Sequence, residues 1–246
     1  MKLPLQTRSV VKENYAVICP DGYVDSKVPG WTGCGTNVLI SQGMNAGICQ
    51  LLVTMEKDGK LQGKTEDAQL FFYLVAGECT ARVDNDQWKL HTGQFAYIPP
   101  DRSYLFQDFT QGTEILIFRK IYLPLAGQDR PAICIGDRAA IPAAPYLGNA
   151  AANLQILLPE LPSFDLAVNV FSFRPGAHLP FVETHIMEHG LMILEGRAIC
   201  LLGDEWYMLD RRVSVWMAPY CSQWLAAVGH EALVYIYCKD INRFPW

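Results

Sequence analysis

The chain has 246 residues, half of them apolar, and 20 Lys and Arg against 25 Asp and Glu, a formal net charge of −5. That length buries one large or two small cores, and cations scattered without a basic stripe exclude a phosphate-backbone partner, so no nucleic acid is expected. Apolar runs such as LFFYLVAG at 70–77 are too short to span a bilayer, and the opening MKLPLQTRSVVKENY lacks the apolar region of a leader, which predicts no membrane association and a cytoplasmic location.

Residues 1–36 carry turn signals at Pro20-Asp21-Gly22 and Pro29-Gly30 and little periodicity, and read as an arm that packs against a domain. From Asn37 the pattern becomes β-rich: ICQLLVTM at 48–55, FFYLVAGECTARV at 71–83, FAYI at 95–98 and EILIFRKIYLPL at 114–125, broken by Asp58-Gly59, Asp84-Asn85-Asp86 and Pro99-Pro100. Short strands at close spacing, with no long 3.6-residue apolar stripe, predict an all-β sandwich or small barrel over 37–125. Residues 126–150, rich in Ala, Pro and Gly, read as a linker.

The second half, 151–246, repeats the first. LAVNVFSF at 166–173 parallels ICQLLVTM, LMILEGRAICLL parallels FFYLVAGECTARV, VSVWMAPYCSQW parallels QFAYIPPDRSYL, and ALVYIYCKDINR parallels EILIFRKIYLPL. An internal duplication with an offset of 119 residues, setting Gly77 against Gly196, predicts two tandem barrels. The eight cysteines form no CxxC pair and are expected to be reduced and mostly buried.

Chemistry concentrates in ETHIMEHGLMILEG at 183–196. Glu183, His185 and His189 lie two and four residues apart, so on an extended chain they share a face. One carboxylate and two imidazoles suit a divalent metal of mixed nitrogen and oxygen preference. At the 119-residue offset these positions face Lys64, Glu66 and Leu70, which cannot build the same shell, so metal is expected in the C-terminal half alone. Glu188 has the opposite parity and is expected to face away from the cluster as an ordinary paired carboxylate. His91, His178 and His230 sit beside turns and read as surface or structural residues, and Trp206, Trp216 and Trp224 as packing residues.

With these residues in view, the chain resembles the cupin superfamily in its two-barrel, bicupin form, whose jelly-roll or double-stranded β-helix domains carry a His-x-His, Glu and Gly motif. Here a carboxylate and an imidazole have exchanged places, and the usual histidine of the second motif falls on Gln223. This permuted set is similar to that of the ureidoglycine aminohydrolase family, and the likeness extends to NYAVICPDGYV at 14–24 and YIYCKDINR at 235–243. It implies a Mn²⁺ ion held by Glu183, His185, His189 and Gln223, and a small-molecule substrate held by Tyr235 and Lys239 together with Glu183 and Gln223. Glu183, Tyr235 and Lys239 would be the residues that carry catalysis. The implied reaction converts (S)-ureidoglycine and water to (S)-ureidoglycolate and ammonia in purine and allantoin breakdown, in a homo-oligomer. Arg212 stands at the glycine of the second motif, Ala218 at its proline, and Cys200 where the family commonly has a substrate-contacting tyrosine. Two other readings fit the same cluster: an Fe(II) dioxygenase, since two His and a carboxylate also activate oxygen, and a non-catalytic small-molecule-binding bicupin.

Overall fold

The structure is a computed structural model and describes residues 6–239. Among these, all regular secondary structure is β-strand apart from three short 3₁₀ turns, so the protein is all-β. No helix among the described residues is long and apolar enough to cross a membrane. The chain forms two compact units that interleave in sequence.

One unit comprises residues up to 23, 144–154 and 170–237. The eight-stranded sheet that holds most of its strand residues runs, neighbour to neighbour, Val10–Val11, Tyr15–Ile18, Ser214–Met217, His189–Glu195, Leu233–Lys239, Ala167–Phe173, Asn149–Ile156 and Ala144–Tyr146. A three-stranded sheet of Glu205–Leu209, Arg197–Leu202 and Gln223–Val228 completes it. The core takes alternate residues of each strand: Leu191 and Ile193, Ala198, Cys200 and Leu202, Leu233, Tyr235 and Tyr237, as a period of two requires. Part of the arm joins this unit as strand. Tyr15 pairs with Met217 and Ile18 with Ser214, covering what is otherwise a sheet edge.

The other unit comprises 24–143, 155–169 and 238–239 among the described residues. Its ten-stranded sheet is centred on the long strand Ile48–Lys64, which pairs with Trp31–Ile40, Thr113–Ile121 and Ser103–Gln107. The strand Ala68–Ala76 is buried along its first seven residues, and Phe72 stacks on Phe106 at 4.4 Å between ring centres. Buried Lys120 and Asp165 form an ion pair at 2.7 Å, and Asp165 also accepts from the Leu123 N–H and the Gln69 amide. The stretch 126–150 contributes strands of its own: Cys134–Asp137 pairs with Gln94–Ile98, and Ala144–Tyr146 with Asn149–Ile156.

The repeat holds at the level of individual pairs. Leu70 faces Ile98 as His189 faces Met217, Ala81 faces Trp88 as Cys200 faces Tyr207, and Val83 faces Tyr104 as Leu202 faces Gln223. Turn conformations repeat too. Gly77 and Gly196 both have positive φ, and Arg212, at the place of Gly93, keeps the left-handed backbone with φ 70° against 89° for the glycine. The offset slips by one residue inside the cluster, between Glu183 and His189: Gln223 pairs with Glu183, while its counterpart Tyr104 pairs with Gly63. By pairing, therefore, Glu183 stands at the place of Gly63 and not of Lys64.

Candidate functional site

The segment carrying the cluster is not one straight strand. Glu183 forms an isolated bridge, the chain bends at Ile186, and a regular strand begins only at His189. At ~3.3 Å per residue a straight strand would set positions 183 and 189 roughly 20 Å apart. The bend brings His185 and His189 together, with ring centres 4.6 Å apart.

Each donor is held through its backbone. The Glu183 N–H donates to the Gln223 carbonyl at 2.8 Å and the Gln223 N–H returns the bond at 2.9 Å. The His185 carbonyl accepts from the Tyr220 N–H at 2.7 Å, in the turn after Ala218-Pro219 where Tyr220 takes a positive φ of 63°. His189 is fixed by its pairing with Met217.

The side chains meet in pairs. The Gln223 amide nitrogen lies 2.9 Å from His185 Nε2 and donates to it in the tautomer with the ring proton on Nδ1. His185 Nδ1 is buried with no hydrogen-bond partner among the described residues. Leaving a buried ring nitrogen unpaired costs ~1–3 kcal/mol, a penalty that a histidine bound to a metal need not bear. Turning the Gln223 amide over presents Oε1, a metal donor, in the same place. The donor chemistry therefore fits a divalent ion, with two imidazoles, one carboxylate and one amide. Among the described residues no group of three His, Cys, Asp or Glu is already closed up as a ligand cluster.

Aromatic rings wall the cluster. Tyr235 and Tyr237 occupy one face of the strand Leu233–Lys239, with Tyr237 5.4 Å from the His189 ring and Tyr235 stacked on Phe173 at 6.1 Å. Tyr235 is buried and its hydroxyl makes no hydrogen bond among the described residues; burial, reinforced by Tyr237 and Glu183, pushes its phenol well above the ordinary value. Tyr146 donates to Glu183 Oε1 at 3.0 Å, and burial, then the Glu183 charge, raises its phenol to about 12. Lys239 ends the strand, on the same face as Tyr235 by alternation, and is half-buried. Cys200 is fully enclosed, and burial pushes its thiol up to about 12.

Glu188 does face away from the cluster, as its parity requires, but it is buried and accepts a hydrogen bond from the Trp216 indole N–H at 2.5 Å. A carboxylate under the sheet needs such a donor. Tyr146 and Tyr237 belong to the site although no motif marked them. Tyr146 lies in the stretch that reads as linker; Tyr237 shares parity with Tyr235, and that was the available signal.

No family model matches the chain. It is 31% identical to (S)-ureidoglycine aminohydrolase of Escherichia coli (strain K12), over 97% of this chain and 93% of that protein. The crystal structure of protein Ylba from E. coli superposes with a TM-score of 0.87 at 28% identity, over 98% of this chain and 97% of that one. A cupin 2 conserved barrel domain protein from Leptotrichia buccalis superposes at 0.62 with 12% identity, over 87% and 91%, a likeness of fold alone that makes this a cupin-type fold. Identity at that level along almost the whole of both chains shows that the protein belongs to the (S)-ureidoglycine aminohydrolase family.

Proposed function

We propose that the protein hydrolyses (S)-ureidoglycine to (S)-ureidoglycolate and ammonia, in purine and allantoin breakdown. The observation that carries this reading is the pairwise contact of His185 with Gln223 and with His189, and the backbone pairing of Glu183 with Gln223, in a chain that belongs to the aminohydrolase family. Glu183, His185, His189 and Gln223 would hold a divalent ion, Mn²⁺ on the family resemblance. When bound, such an ion supplies Lewis acidity and lowers the pKa of water toward neutrality.

This chain's own residues bind and orient the substrate. Lys239 pairs with the substrate carboxylate, and Tyr235, whose hydroxyl has no protein partner among the described residues, hydrogen-bonds the substrate. Contacts held at fixed points around one carbon orient it and discriminate one enantiomer. The rings of Tyr146, Phe171 and Tyr235 keep bulk water from the reacting carbon. In the net reaction the oxygen of water forms a C–O bond, the C–N bond to the amine breaks, and a proton of water leaves with the ammonia. The register-by-register repeat supports two tandem cupin barrels, and the ion is assigned to the C-terminal one because Leu70 stands in the place of His189 in the other half. We extend the same reading to a cytoplasmic homo-oligomer.

The test is ammonia release from freshly prepared (S)-ureidoglycine by the Mn²⁺-loaded protein, with Glu183→Ala alongside. Release above the uncatalysed rate that is lost in the variant supports the assignment; release at the uncatalysed rate by a protein with a full complement of ion sinks it.

A further inference from the structure

Tyr146 lies outside every motif that points to the site, in the short edge strand Ala144–Tyr146, yet its hydroxyl donates to Glu183 Oε1 at 3.0 Å. Its ring is fixed as well. It meets Phe171 edge-on, 4.9 Å between centres and 83° between planes, and Phe171 stacks on Phe173 at 5.0 Å. The turn that delivers it is tight: Tyr146 pairs with Asn149, and the two residues between them, Leu147 and Gly148, both have positive φ, 49° and 80°. A left-handed leucine is strained, and the Leu147 side chain gains little in return, being 67% exposed. What this hairpin packs against the core is the partly buried tyrosine beside it.

We infer that Tyr146 is a positioning residue for Glu183, its hydroxyl fixing the carboxylate in the orientation in which it serves a divalent ion. The inference rests on the metal reading above. A glutamate side chain has three rotatable bonds, and one outer donor on one oxygen removes most of that freedom. A neutral hydroxyl suits the task better than Lys or Arg, because it orients the carboxylate without neutralising the charge that attracts the ion. Hydrogen-bond partners of metal ligands typically contribute about 10- to 100-fold in affinity.

The experiment compares metal-free wild-type protein with Tyr146→Phe. Mn²⁺ is titrated by calorimetry, the bound ion is followed by its electron paramagnetic resonance spectrum, and both metal-free proteins are melted. Phenylalanine keeps the ring against Phe171, so the melting temperature without metal stays within a few degrees. The Mn²⁺ dissociation constant rises about tenfold or more, and the spectrum changes. Equal constants and superimposable spectra in two folded proteins overturn the inference while the metal reading stands. A wild type that binds no stoichiometric ion overturns both. Tyr146→Leu, judged by the same readings, replaces the phenylalanine variant if that one melts without cooperativity.

Discussion

Glu183 and Gln223 exchange both of their backbone hydrogen bonds, at 2.8 and 2.9 Å, although 40 positions separate them in the chain. Residues paired in this way across antiparallel strands project their side chains on the same side, so the carboxylate and the amide share a face whatever the side chains do. Gln223→Leu tests this division of labour. The leucine keeps approximate volume and leaves the backbone bonds to Glu183 in place, so the variant should fold. It should lose at least about tenfold in Mn²⁺ affinity, with activity falling in step. Unchanged metal binding would remove Gln223 from the ligand set.

Tyr235→Phe separates the hydroxyl from the ring. The ring stacks on Phe173 and packs at a tilt against Phe171 in either case, so the melting temperature should be nearly unaffected. If the hydroxyl bonds the substrate, its loss costs ~1 kcal/mol, or about a five- to tenfold drop in kcat/KM. Steady-state kinetics on ureidoglycine decide it, and a kcat/KM equal to wild type would return Tyr235 to the core.

Lys239→Met should act differently, raising KM for an anionic substrate roughly 10- to 100-fold, since hydrogen bonds to charged groups contribute ~1.5–3 kcal/mol. Wild-type KM should rise with ionic strength while that of the variant stays flat. Equal salt dependence in the two proteins would remove the charge pairing.

The 119-residue offset is legible in the sequence and carries register from one half to the other: His189 pairs with Met217 as Leu70 does with Ile98, and Cys200 with Tyr207 as Ala81 does with Trp88. Parity also places Glu188 away from the cluster, where Trp216 receives it. The bend at Ile186 is not legible, since no Gly, Pro or Asn marks it and the apolar pair Ile186-Met187 reads as strand. Nor is Tyr146. Its contact with Glu183 spans 37 positions, and the turn that aims it places a leucine in a conformation that sequence rules reserve for Gly, Asn or Asp. Arg212 is the reverse case, where the wrong residue type stands at a glycine position and the backbone keeps the glycine geometry at φ 70°.

In the unit built on Ile48–Lys64, the pair Lys120–Asp165 lies buried at 2.7 Å, with both side chains less than a tenth exposed. Lys120→Met strands the Asp165 charge with only the Leu123 N–H and the Gln69 amide. Breaking a buried pair on one side destabilises by ~3–5 kcal/mol, so the urea midpoint should fall sharply. Lys120→Met combined with Asp165→Leu should recover much of the loss. A single variant as stable as wild type would show the pair to be relaxed or hydrated in solution.

Burial raises the Cys79 and Cys200 thiols from an ordinary value near 9.0 to about 12 in each case. Both stay protonated in the folded protein at pH values where the unfolded chain has already formed thiolate. Above pH 9.0 the unfolded state therefore binds fewer protons than the native state, and stability falls as pH rises toward about 12; below 9.0 the two thiols contribute no slope. Urea midpoints measured from pH 8 to 11 should decline above about 9, and Cys79→Ala with Cys200→Ala should flatten that decline. At pH 8 iodoacetamide should leave both thiols unmodified until denaturant is added, because the thiolate is the reacting species. Rapid labelling of Cys200 in the native protein would mean that the wall beside Tyr235 opens to solvent.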